Sequence, residues 1–111
     1  MYKDDEVRLR HILDAAREAV SFLEGEDRKN LDNDRKLNLS LVRLLEIIGE
    51  AARGITNDFR RQHPELAWKN MIGMRDRLIH GYFDINLDIL WKTVKNDLPP
   101  LIDKIEKILA E

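Results

Sequence analysis

Apolar residues return every three or four positions along almost the whole chain, and very little interrupts them. Leu9, Ile12, Leu13, Ala16, Val20 and Leu23 make one such series, and Leu37, Leu41, Leu44, Ile48, Ala51 and Ile55 make another. A period near 3.6 is that of an amphipathic helix and not of a strand, whose side chains alternate. Only five glycines and three prolines fall among the 111 residues, so long irregular connections have little material. The pattern predicts an all-α up-down four-helix bundle formed as one domain over residues 1–111. A chain of this length buries only about two-thirds of its unfolded surface, which makes dimerisation a useful source of further burial.

Punctuation divides the chain. The first helix is expected from Asp5 to Leu23, stopping at Glu24-Gly25-Glu26, and the polar stretch 27–34 reads as a loop. A second helix is expected from Asp34 to Ile55. It carries an additional weakly apolar strip, Val42, Leu45, Gly49 and Ala52, so it can pack against two neighbours, one of them closely. That close neighbour is either another helix of the same bundle or a helix of a second subunit. Arg43, Glu46, Glu50 and Arg53 fill the remaining face. Thr56 or Asn57 caps a short extra helical turn that ends before Pro64. A third helix is expected from Leu66 to His80, with Gly81 placed to stop it, and a fourth from Leu87 to Ala110. Pro99-Pro100 must kink or break the fourth, since each ring removes a donor and crowds the preceding turn.

Composition excludes several chemistries. With no cysteine there is no disulfide, zinc-thiolate site or thiol nucleophile, and three scattered histidines suggest no metal set and no cofactor. His11 and His63 have no evident role. There is no glycine-rich phosphate loop. No secretory leader and no membrane-spanning apolar run is evident, so a cytoplasmic protein is expected.

The net charge of -2 is unevenly spread. Residues 1–34 hold six basic and ten acidic side chains, residues 35–83 nine and five, and residues 84–111 four and six. The basic middle can bind a phosphate backbone or be an ordinary charged helical surface.

The third helix departs from its own pattern. At about 100° per residue, Trp68, Met71, Ile72, Leu78, Ile79 and Tyr82 share one arc, and Arg75 falls in its middle. A guanidinium there must snorkel, pair with an acid such as Glu46 or Glu50, or line a polar cleft. His80 lies on a different arc with Gly73 and Asp76. The Asp76 carboxylate, four residues earlier, can orient its ring. Histidine suits proton transfer near neutral pH, although a lone histidine at a helix end also serves as a dipole cap. Arg75 and His80 are five apart and diverge on an ideal helix. They converge only if the helix ends or bends near His80, or if two subunits share the site.

Arg75-Asp76-Arg77-Leu78-Ile79-His80-Gly81-Tyr82 resembles the Arg-x4-His-x-Tyr motif of the HepT toxins within the HEPN superfamily. Ile48-Gly49-Glu50-Ala51-Ala52, Pro64-Glu65-Leu66-Ala67-Trp68 and Asp97-Leu98-Pro99-Pro100-Leu101-Ile102 are similar to the same family, in order, so the resemblance spans essentially the whole chain. It implies a homodimeric helical bundle whose paired motifs meet at the subunit interface and cut RNA without metal. On that resemblance Arg75 and His80 are the catalytic residues, with Asp76 supporting. His80 handles the proton of the ribose 2′-hydroxyl or of the leaving oxygen, and Arg75 neutralises phosphoryl charge. Tyr82 matches the position that an MNT-type nucleotidyltransferase antitoxin modifies with AMP. Many members have Asn where this chain has Asp76, which here adds negative charge close to the expected RNA site. The competing reading is a non-catalytic helical partner, or nucleotide-binding subunit, of a nucleotidyltransferase.

Overall fold

A computed structural model of the chain describes residues 1–81 and 84–111. Helix α1 spans Lys3–Phe22, α2 Arg28–Asn33, α3 Arg35–Gly54, α4 Asn57–Gln62, α5 Trp68–Ile72 and α6 Met74–Leu78. Two-residue strands β1 (Ile79–His80) and β2 (Asp84–Ile85) follow, then α7 (Leu87–Lys92), a π-helical segment (Thr93–Asp97) and α8 (Leu98–Leu109). The architecture is an all-α helical bundle. Helix α1 packs against α3 and α8, while α3 also packs against α5 and α6.

The expected apolar series form the core. Leu9, Ile12, Leu41, Ile48, Leu98 and Ile105 are wholly inaccessible to solvent. The second strip of α3 is buried as deeply as the first: Leu45 and Ala52 are inaccessible and Val42 nearly so. That double burial makes α3 the central helix. Its close neighbour is α5 of the same chain, because a Cβ built on Gly49 would stand 3.0 Å from the Met71 carbonyl oxygen. Glycine here is a packing requirement between backbones.

Caps fall where the side chains allow them. Asp34 accepts from the Leu37 amide at 3.0 Å, Thr56 from the Phe59 amide at 3.3 Å and Asn86 from the Ile89 amide at 3.0 Å. Asp5 is buried and accepts from both the Thr56 amide (2.9 Å) and the Thr56 hydroxyl (2.7 Å), which ties the start of α1 to the start of α4.

Two expectations need correction. The stretch 27–34, expected as a loop, contains α2. Its single buried residue, Leu31, gives no period to read, and the helix is held from outside by Asn38 on its backbone and by Arg28 bonding to Asp88. The third helix is not continuous from Leu66 to His80: it breaks at Gly73 and stops at Leu78. The fourth helix is interrupted at its prolines, as expected. Pro99 and Pro100 occupy the first turn of α8, and the turn before them widens so that the Leu98 amide reaches the Thr93 carbonyl, five residues back. A widened turn relieves the clash between each proline ring and the carbonyl four residues earlier.

Among the described residues, no helix is long and apolar enough to cross a membrane.

Candidate active site

One face of α3 presents Glu46, Gly49, Glu50 and Arg53, spaced i, i+3, i+4 and i+7. Opposite this face lies the broken third helix, held close by the contact at Gly49. The break explains why Arg75 is not a core residue. With the chain re-aimed at Gly73 (φ -86°, ψ 7°), the buried residues of α6 are Met74 and Leu78, and Arg75 turns out beside them. The continuous arc expected from the sequence dissolves at that point. Arg75 is half exposed, and its Nε donates to Oε2 of Glu46 at 2.9 Å. Of the environments open to Arg75, an acidic partner and a polar cleft are both present.

The pair has a chemical consequence. With Nε committed to Glu46, the guanidinium is fixed at its stem, and neither terminal nitrogen has a hydrogen-bond partner among the described residues. Those two nitrogens form a fork that suits a phosphate. The pair itself is a surface one and contributes only about 0–1 kcal/mol to stability.

His80 follows where the helix ends. Ile79 is extended (φ -115°, ψ 123°), and the Leu78 carbonyl accepts from the Asn86 amide at 2.7 Å. Ile79 pairs with Ile85 and His80 with Asp84, antiparallel. Gly81 makes the reversal at φ 69°, a conformation that favours glycine. His80 is therefore exposed on a short hairpin and is free of the angular divergence that a continuous helix would impose on it and Arg75.

Asp76 is exposed on α6, and no hydrogen bond joins it to His80 among the described residues. The one-turn spacing that would stack them is lost because the helix stops between them. The carboxylate opposite His80 is Asp84, across the strand pair; directly opposed Cβ atoms in such pairs lie about 4.5–5.5 Å apart. Tyr82 lies outside the described residues.

Glu46, Gly49, Glu50, Arg53, Ile72, Arg75 and Asp76 line a hollow of about 220 Å³. The sequence pointed to Glu46 only as one of two acids that could pair with Arg75. Its place on the same α3 face as Gly49, a glycine that admits a neighbouring helix, was the available signal. Among the described residues no group of three or more His, Cys, Asp or Glu could hold a metal ion.

A family model described as ribonuclease HepT-like matches residues 12–108. The chain belongs to the HepT-like ribonuclease family, within the HEPN superfamily. It is 53% identical over 75 residues to a Thermococcus cleftensis protein named as a probable ribonuclease HepT, covering 68% of each chain. It is 40% identical over 104 residues to a Methanocaldococcus jannaschii protein whose name gives it as a candidate RNase, covering 94% of this chain and 95% of that one. A Caldanaerobacter subterraneus protein of similar name is 38% identical over 103 residues, covering 93% and 92%. No solved structure matches the chain. The match to the HepT-like family takes in both the hollow beside Arg75 and the hairpin that carries His80, which does not line that hollow.

Proposed function

We propose that this chain is a metal-independent endoribonuclease, a single catalytic domain that works as a homodimer with one composite site at the subunit interface. The observation that carries the reading is the Arg75 guanidinium. It is fixed through Nε on the wall of an open hollow and free at its two terminal nitrogens, in a chain of the HepT-like ribonuclease family.

The chemistry follows from the groups. His80 takes the proton of a ribose 2′-hydroxyl, and the resulting oxyanion attacks the adjacent phosphorus. Negative charge grows on the non-bridging oxygens, where the Arg75 fork stabilises it. The bond to the 5′-oxygen breaks, and that oxygen takes a proton from the partner subunit's His80. The product ends are a 2′,3′-cyclic phosphate and a 5′-hydroxyl. Two copies of the motif supply both proton transfers, and the exposed position of His80 on its hairpin suits that arrangement.

In this reading the protein is the toxin of a HEPN/MNT toxin–antitoxin pair in the cytoplasm. It is silenced when the Tyr82 hydroxyl attacks the α-phosphate of ATP on an MNT-type nucleotidyltransferase, gaining AMP and releasing pyrophosphate. The added charge beside the motif repels RNA.

The test is incubation of purified protein with RNA in EDTA, beside His80→Ala. Cleavage that persists in chelator and disappears in the variant supports the enzyme. Cleavage lost on chelation sinks the metal-independent mechanism. One observation favours a second reading, a non-catalytic partner of a nucleotidyltransferase: Asp76 adds an exposed carboxylate to the hollow that holds Arg75. Tight association with such an enzyme, and no cleavage by the clean protein, would decide for it.

A further inference from the structure

The hollow beside Arg75 does not end there. A second hollow of about 470 Å³, lined by Arg53, Arg60, Trp68, Lys69, Ile72, Gly73 and Asp76, shares Arg53, Ile72 and Asp76 with the first. The two form one groove between α3 and the broken α5–α6 pair, with Arg75 towards one end and Trp68 towards the other.

The charges along this groove fall into two groups. Most are already engaged: Arg75 with Glu46, Glu50 with Arg43 at 3.6 Å, and Arg60 with the carbonyls of Ala52 (3.0 Å) and Arg53 (2.8 Å) at the end of α3. The side chains of Arg53 and Lys69 are exposed and have no hydrogen-bond or ion-pair partner among the described residues. Asp76 is the one groove carboxylate without such a partner among them. Two uncompensated cations therefore face one uncompensated carboxylate along the groove. Trp68 adds a fixed aromatic surface, since its indole N–H donates to the His63 carbonyl at 2.9 Å and its ring meets Phe59 edge-on.

We propose that this groove is a track for single-stranded RNA, in which Arg53 and Lys69 contact phosphates outside the cleaved bond. Arg53 lies two turns along α3 from Glu46, about 10 Å at 1.5 Å per residue. Cationic stations separated in this way suit successive phosphates of one strand better than a single small anion. A positive groove with an aromatic wall is a general solution for binding single strands, the charge following the backbone and the ring offering a surface to a base. The assignment rests on the ribonuclease reading for its choice of ligand, but it concerns binding and needs no turnover.

The experiment measures fluorescence anisotropy with a labelled 2′-O-methyl RNA of about ten nucleotides, within the range such grooves hold. This probe lacks the attacking hydroxyl and cannot be cut. Wild-type protein is compared with Arg53→Ala/Lys69→Ala over a salt series. The expected result is a roughly tenfold weaker complex at low salt. The slope of log affinity against log salt should become shallower by about 1.4, since each single-strand phosphate contact carries about 0.7. An unchanged affinity and slope, or no binding by wild type, overturns the track. A drop in dimer mass with unchanged RNA binding also overturns it, and assigns the surface to subunit association. Cleavage of all-ribose RNA, run alongside, separates the two ideas. Weaker binding by the double variant, with no cleavage by wild type, keeps the track and removes the nuclease. Normal cleavage with an unaltered salt slope does the reverse.

Discussion

The Nε of Arg75 and Oε2 of Glu46 meet at 2.9 Å across the space between α6 and α3. This contact joins the motif helix to the central helix at the residue whose charge the proposed reaction needs. Arg75 is 50% exposed at its side chain and Glu46 is 24% exposed, so the pair adds little to stability while limiting where the guanidinium can point.

Loss of Arg75 is therefore expected to be felt in turnover. Arg75→Ala should slow RNA cleavage by about 10²–10³-fold, the usual effect of removing one transition-state donor. Glu46→Ala should slow it by roughly tenfold, while Glu46→Gln, which keeps an acceptor for Nε, should be milder. Melting curves measured alongside should shift by only a few degrees. A shift beyond about 8 °C for Arg75→Ala, corresponding to more than 1 kcal/mol in a domain of this size, would make Arg75 a structural residue.

Gly49 and Gly54 lie on the same helix and should respond oppositely to alanine. At Gly49 the new methyl would meet backbone, the Met71 carbonyl at 3.0 Å. Overpacking there costs about 1–3 kcal/mol, of which a gain in helix propensity of at most about 1 kcal/mol returns part. At Gly54 the methyl would meet the end of the Arg8 side chain, whose Nε is 2.5 Å away and can swing aside. Chemical denaturation should show Gly49→Ala less stable than wild type and Gly54→Ala equal or better. Equal loss at both sites would contradict the close backbone contact between α3 and α5.

Asp5 supports α4 from a distance of 51 residues. Its buried carboxylate takes both the Thr56 amide and hydroxyl, and each hydrogen bond to a charged group contributes about 1.5–3 kcal/mol. Asp5→Ala should destabilise by about 2–3 kcal/mol, and Thr56→Val, which removes only the hydroxyl, by less. Denaturant midpoints for the two variants and their double mutant would measure the coupling. Additive losses would mean that the two residues act independently.

Gly81 sets the hairpin that carries His80. Its φ of 69° disfavours any residue with a Cβ, and among the described residues beyond its chain neighbours nothing lies within 4 Å of an added methyl, so the cost is one of conformation. Gly81→Ala should cost about 1 kcal/mol and slow cleavage by displacing His80. Gly81→Asn should recover part of both, because asparagine tolerates this region. Stability measurements that do not distinguish alanine from asparagine would count against the turn.

Much of this was legible beforehand. The helical series, the double strip on α3, the cap at Thr56 and the spacing of Arg75 and His80 are all local patterns, and local patterns survive folding. The stretch 28–33 was not legible, because a helix with one buried leucine has no period and is held by distant groups. Arg53 and Lys69 were also silent: unpaired charges on a surface are recognisable only once the groove between them exists.

The residues alone determined that the chain is helical, which faces turn inward, and that an arginine precedes a histidine by five positions near the end of a helix. Tertiary structure decided where that helix breaks. Gly49 admits α5 against α3, the chain re-aims at Gly73, and the Leu78 carbonyl goes to Asn86 where a longer helix would have kept it. The physical reason is that helical periodicity is written in neighbours three and four apart. The partner taken by Arg75 and the ending that exposes His80 depend on groups brought close only by packing.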